Sequence, residues 1–123
     1  MYILTRFGID AVNDLLGITL DPYTQDWEIE VSDPRFLPEI CTILEQGVDN
    51  IEILRALFAL QLSSLDDYLR LEGGAVPEGV DSCIRKVLLR YRIHVQDILE
   101  YWEVEGAEGP DDEWAVSPYL RTQ

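Results

Sequence analysis

The chain has 123 residues, of which 24 are acidic, nine are basic and 47 % are hydrophobic, for a formal net charge of −15. An acidic disordered tail is excluded, because such tails lack the apolar content to form a core, and nucleic acid and anionic membrane are poor direct partners because like charges repel. The length fits one domain spanning 1–123 that needs neither disulfide nor metal as a staple, and no apolar run approaches the roughly 20 residues of a membrane span.

The opening residues, Met1 to Gly8, lack a basic leading region and their apolar run stops at Thr5, so they do not read as a signal peptide and a cytoplasmic location is expected. A short helix is predicted over Ile9 to Leu16. Ile9, Val12, Leu15 and Leu16 share one side of it, and Gly17 stands at the C-cap position. Asp21 and Pro22 mark a turn. Trp27 to Val31 alternates apolar and acidic residues, the period-2 pattern of a half-buried strand. Its partner would be residues 2–4 or 18–20; without one, the segment would lie as an extended arm over helices.

Ser32, Asp33 and Pro34 signal the start of a helix from about Phe36 or Pro38 to Gln46, closed by Gly47. Asp49 or Asn50 caps the next segment, which is apolar on most sides to about Leu71 and is therefore expected to be central. Gly73 and Gly74 end it. The last long helix, about Asp81 to Glu103, has a stripe that includes Ile84, Val87, Leu88, Val95, Ile98, Leu99 and Trp102. Residues 104–123 read as a partly irregular acidic segment whose Trp114, Val116, Tyr119 and Leu120 return apolar content to the bundle. The predicted fold is mainly α, a single-domain bundle of about four helices, with a small two-stranded β element possible near the N-terminus. The two long helices are expected to pack as antiparallel neighbours.

No catalytic constellation emerges. His94 is the sole histidine, expected as a partly buried helix-face residue, and no serine or cysteine is framed as a nucleophile beside it. Cys41 and Cys83 are expected as two free thiols in the core; with one histidine and no close cysteine pair, metal-ligand spacing is missing. Acid pairs such as Asp66–Asp67 and Asp111–Asp112 arise by chance among 24 acids, and neither a calcium loop nor a glycine-rich phosphate loop occurs. The chain therefore reads as a non-enzyme without cofactor or metal. Arg85, Lys86, Arg90 and Arg92 form the one basic cluster, expected to pair internally against the acidic N-terminal half, where eleven acids between Asp10 and Glu52 face a single base, Arg35.

The C-terminal stretch is the candidate binding surface. Eight acids and no base lie between Asp97 and Glu113. Partner-binding residues are placed at Glu100, Tyr101, Glu103, Glu105, Glu108, Asp111, Asp112, Glu113 and Trp114, with Asp21 to Asp33 as second choice. Aromatics supply contact energy there, and acids steer and pair with Arg or Lys, which fits a basic protein partner. Small acidic helical immunity proteins of bacterial nuclease toxins are similar in size range, charge and lack of a catalytic motif. The resemblance is one of class; no segment carries a family signature, and no residue roles are taken from it. The expected function is an immunity protein or antitoxin that inhibits a nuclease-type toxin. The alternatives are a nucleic-acid mimic that inhibits a DNA-binding defence complex, or a non-catalytic structural or adaptor subunit.

Overall fold

A computed structural model describes residues 2–21, 26–104 and 114–123. Among these residues the chain forms six helices: α1 (Arg6–Leu16), α2 (Trp27–Glu30), α3 (Phe36–Gln46), α4 (Ile51–Glu72), α5 (Glu78–Val104) and α6 (Ser117–Leu120). The four long ones correspond to the predicted helices, and two short ones are added. Local chemistry sets their ends. The Thr5 hydroxyl accepts from the Gly8 amide at 3.2 Å, so α1 starts three residues before Ile9. Asn50, not Asp49, caps α4 by accepting from the Ile53 amide at 3.1 Å. Gly17 closes α1 in the left-handed conformation at φ 68°, releasing the backbone from the helix at little steric cost.

The small β element does not form: no strand occurs among the described residues. Trp27 to Glu30 is a helical turn instead. Alternation would send Trp27 inward and Glu28 outward, yet both are buried. The Trp27 indole Nε1 donates to Asn13 Oδ1 at 2.9 Å, and Asn13 Nδ2 in turn donates to the Leu20 carbonyl at 3.0 Å. A side-chain hydrogen-bond chain, not a backbone ladder, thus holds α2 against α1. A lone short strand has no such partner for its own amides.

Helix α4 is the central element, with α1, α2, α3 and α5 packed around it. Leu54 and every residue from Ala56 to Asp66 are buried, so it is covered on all sides, as expected for a helix with so wide an apolar face. Arg55 near its start meets Asp97 near the end of α5, which makes the two long helices antiparallel neighbours. Where α1 crosses α4, the backbones nearly touch: a Cβ on Gly8 would lie 2.3 Å from the Glu52 carbonyl oxygen. The C-terminal segment folds back onto the bundle. Val116 donates its amide to Asp66, the Ser117 hydroxyl donates to the Trp102 carbonyl at 2.6 Å, and the Tyr119 hydroxyl donates to Asp81 at 2.5 Å.

Candidate interaction surface

The end of α5 gathers the described members of the expected surface. Glu100 is exposed and accepts from Gln96 Nε2 at 3.1 Å, one turn earlier. Tyr101, Glu103 and Trp114 are half-buried. Glu105, Glu108, Asp111, Asp112 and Glu113 lie outside the described residues. The aromatic rings pack mainly on one another. Trp114 stands 4.8 Å from Trp102 and 6.1 Å from Tyr101, and Tyr101 meets Tyr2 edge-on at 5.2 Å. Trp102 is fully buried and donates through Nε1 to the Tyr2 hydroxyl at 3.1 Å. This cluster joins the N-terminal residues, α5 and the returning segment, so Trp114 contributes to folding as well as to any interface.

Asp97 leaves the acidic row. Arg55 grips both of its carboxylate oxygens, at 2.7 and 2.8 Å, and donates as well to the carbonyls of His94 and Ile3. That bidentate bond holds the Asp97 carboxyl below its ordinary range, the attraction outweighing partial burial. His94 is exposed rather than partly buried, and in this network its carbonyl, not its imidazole, takes the hydrogen bond.

The second-choice segment divides. Asp21, Asp26 and Glu30 are exposed, and Asp33 pairs with Arg35 at 3.6 Å. Glu28 points inward, and burial pushes its carboxyl up to about 7, with the nearby charge of Asp26 adding to the shift and a backbone hydrogen bond opposing it.

Two exposed surfaces escape a reading of apolar stripes. On α1, Phe7, Asp10 and Asp14 recur at spacings of three and four on the outer face, with Leu15 beside them; Phe7 and Leu15 are each more than half exposed. The Gly8–Glu52 crossing brings this end of α1 to the start of α4, where Asp49, Ile51 and Glu52 are also exposed. The result is an acidic surface with apolar side chains, and only the crossing assembles it. On α5, Leu89 and Ile93 are 90 % and 85 % exposed, flanked by the basic cluster. Their signal was present in the sequence: both fall off the stripe that buries the rest of the helix.

Among the described residues the basic cluster makes one ion pair to the N-terminal half, Lys86 to Glu45 at 3.7 Å. Arg85 pairs within its own helix to Asp81 at 3.1 Å, and Arg90 lies over the adjacent Tyr91 ring. Among the described residues the expected seam therefore shrinks to a single crossing. The geometry of α5 explains this, since the stripe that seats the helix turns these four residues outward.

The adjacent acids Asp66 and Asp67 make links within the bundle. Asp66 takes Arg70 Nε at 2.8 Å besides the Val116 amide, and Asp67 accepts from the Ser32 hydroxyl. No group of three or more His, Cys, Asp or Glu side chains is arranged to hold a metal ion among the described residues. The same residues include no helix long and apolar enough to cross a membrane. A groove of about 690 Å³ runs between α3, the end of α4 and the start of α5, lined in part by Leu37, Pro38, Cys41, Tyr68, Pro77 and Val80. Comparison with family models, with curated proteins and with solved structures finds no match in any of the three.

Proposed function

We propose that this chain binds and neutralises a basic protein without catalysis of its own, acting as an immunity protein or antitoxin against a nuclease-type toxin. One observation carries the reading: nine bases cannot neutralise 24 acids, whatever pairs form. Each ion pair, as in Arg6–Asp10, Arg70–Asp66 and Arg85–Asp81, removes one acid with one base and leaves the excess of fifteen acids unchanged. A nuclease receives phosphate on a basic site, and an acidic surface covers such a site by charge complementarity alone. The acidic end of α5 and the segment after it, Glu100 to Trp114, provide the steering charge in this reading. The outer face of α1 is a further acidic surface with the apolar anchor Phe7.

The test uses the product of a toxin-like reading frame next to this gene, expressed as an inactive variant. Association with that protein is expected to slow steeply as salt rises from ~0.05 to ~0.5 M, because the screening length falls from above ~10 Å to about 4 Å. Charge reversal at Asp111, Asp112 and Glu113 is expected to slow association further. A rate indifferent to salt and to these reversals overturns the reading. Competition by duplex DNA for the same partner surface distinguishes the nucleic-acid-mimic form of the proposal.

A second reading, the non-catalytic adaptor subunit, is favoured by one specific observation. Leu89 and Ile93 stand nearly bare on a basic stretch of α5, and an apolar pair this exposed is a common mark of an interface. Leu89→Asp with Ile93→Asp that abolishes partner capture, with acid reversals leaving it intact, selects that reading instead.

A further inference from the structure

The two cysteines, 42 positions apart in sequence, come together where α3 packs on α5. Cys41 on α3 places its Sγ 4.0 Å from the Gly79 carbonyl oxygen. Gly79 stands one turn before Cys83 on α5, so both cysteines face the same helix contact. Gln61 Nε2 donates a hydrogen bond to the Cys41 sulfur at 3.1 Å. Both thiols are free.

Their surroundings are unequal. Cys41 lines the groove between α3, α4 and α5 and is 9 % exposed, whereas Cys83 is 1 % exposed. The neighbouring Cys83 thiol holds the Cys41 thiol below its ordinary range, with the Gln61 amide assisting and burial opposing. Cys83 is pushed the opposite way by the adjacent Cys41 and by burial, which disfavours its thiolate. Cys41 is thus the sulfur that an oxidant entering the groove meets, and Cys83 is the more deeply buried of the two.

We infer that Cys41 and Cys83 form a peroxide-reactive thiol pair, with Cys41 the sulfur that attacks the oxidant and Cys83 the sulfur that resolves it into an intramolecular disulfide. The oxidant is hydrogen peroxide. The Cys41 thiolate attacks one peroxide oxygen, the O–O bond breaks, and an S–O bond forms to give a sulfenic acid. The departing hydroxide takes up the proton that Cys41 released and becomes water. The Cys83 sulfur then attacks the Cys41 sulfur. An S–S bond forms, the S–O bond breaks, and the hydroxyl leaves as a second water with the Cys83 proton. The thiols lose two electrons in total and one peroxide is reduced. The product clips α3 to α5 beside the groove and closes the chain around α4, a cross-link of the kind that restricts the unfolded state.

The full chain, reduced and then exposed to hydrogen peroxide, is examined by intact mass under non-reducing conditions. The expected product is a monomer lighter by two hydrogens that dithiothreitol restores. Cys83→Ser is expected to leave a sulfenic acid at Cys41 that dimedone traps. Cys41→Ser is expected to give no dimedone adduct at Cys83. Either of two results overturns the inference: wild-type protein that keeps both thiols or yields only sulfinic acid or intermolecular disulfides, or dimedone labelling at Cys83 in place of Cys41. The wild-type mass measurement stands even if a variant fails to fold.

Discussion

Asp66, buried at the middle of α4, accepts the backbone amide of Val116 at 3.1 Å, fifty residues further along the chain. Its other oxygen takes Arg70, so one carboxylate fastens the C-terminal return to the central helix. Asp66→Ala leaves a buried amide without an acceptor and is expected to cost about 2–3 kcal/mol, read as a lower urea midpoint. Asp66→Asn keeps an acceptor oxygen and is expected to lose less than half of that. Equal losses in the two variants would assign the effect to the Arg70 pair instead.

Gly8 is required by a close approach rather than by backbone conformation. A methyl group there meets the Glu52 carbonyl oxygen at 2.3 Å and its carbon at 2.9 Å, both backbone atoms that cannot rotate away. Gly8→Ala adds helix propensity of about 1 kcal/mol, yet overpacking at the α1–α4 crossing is expected to outweigh it and leave the protein less stable by about 1–2 kcal/mol. A variant that melts higher than wild type would show that α1 shifts freely.

Glu28 makes stability fall as pH rises. Its carboxyl is raised from 4.5 to about 7 by burial. Below pH ~4.5 it is protonated whether folded or not, and contributes no difference. As pH rises to about 7 the unfolded chain releases the proton while the folded chain retains it, so stability drops; above that the cost is constant. Glu28→Gln is therefore expected to match wild type near pH 4 and to exceed it near pH 8, by roughly 3 kcal/mol at most. Urea midpoints at the two pH values check this, and an advantage confined to pH 4 would reverse the sign.

Arg55 joins three parts of the chain through one guanidinium: the carbonyl of Ile3, the carbonyl of His94 and the carboxylate of Asp97. Lysine cannot reproduce the fork, so Arg55→Lys is expected to cost about 1–2 kcal/mol. The Asp97 carboxyl is held low by this bond, so its contribution is present above the ordinary carboxylate range and is lost as pH falls through the lowered value. In the variant the stability lost on acidification below pH ~4 is expected to be smaller, as measured by the thermal midpoint across that range.

Much of the fold is legible in the residue order because helices announce themselves locally. The stripe on α5, the wide apolar surface of α4, and the glycines after α1, α3 and α4 each reflect interactions within a few residues. The failure at Trp27 to Val31 is instructive for the same reason. Alternation there has the strand period, but the outcome depended on whether Trp27 found a backbone ladder or the side chain of Asn13, and local pattern does not contain that choice.

Sequence alone determined the acidic excess, because formal charge is a count of residues and a single raised carboxyl such as Glu28 leaves that excess standing, and it determined which helix sides are apolar, because period follows from geometry. Only the tertiary structure decided which acids are available as surface charge. Asp97 is bound by Arg55, Asp66 is buried under Val116 and Glu28 is turned inward, whereas Glu100 and Asp14 remain exposed. It also decided that Cys41 and Cys83 share the α3–α5 contact and that Phe7 on α1 stands beside the acidic start of α4. The physical reason is common to all of these. A side chain's environment is set by the elements packed against its own, and in this bundle those partners lie tens of residues away along the chain.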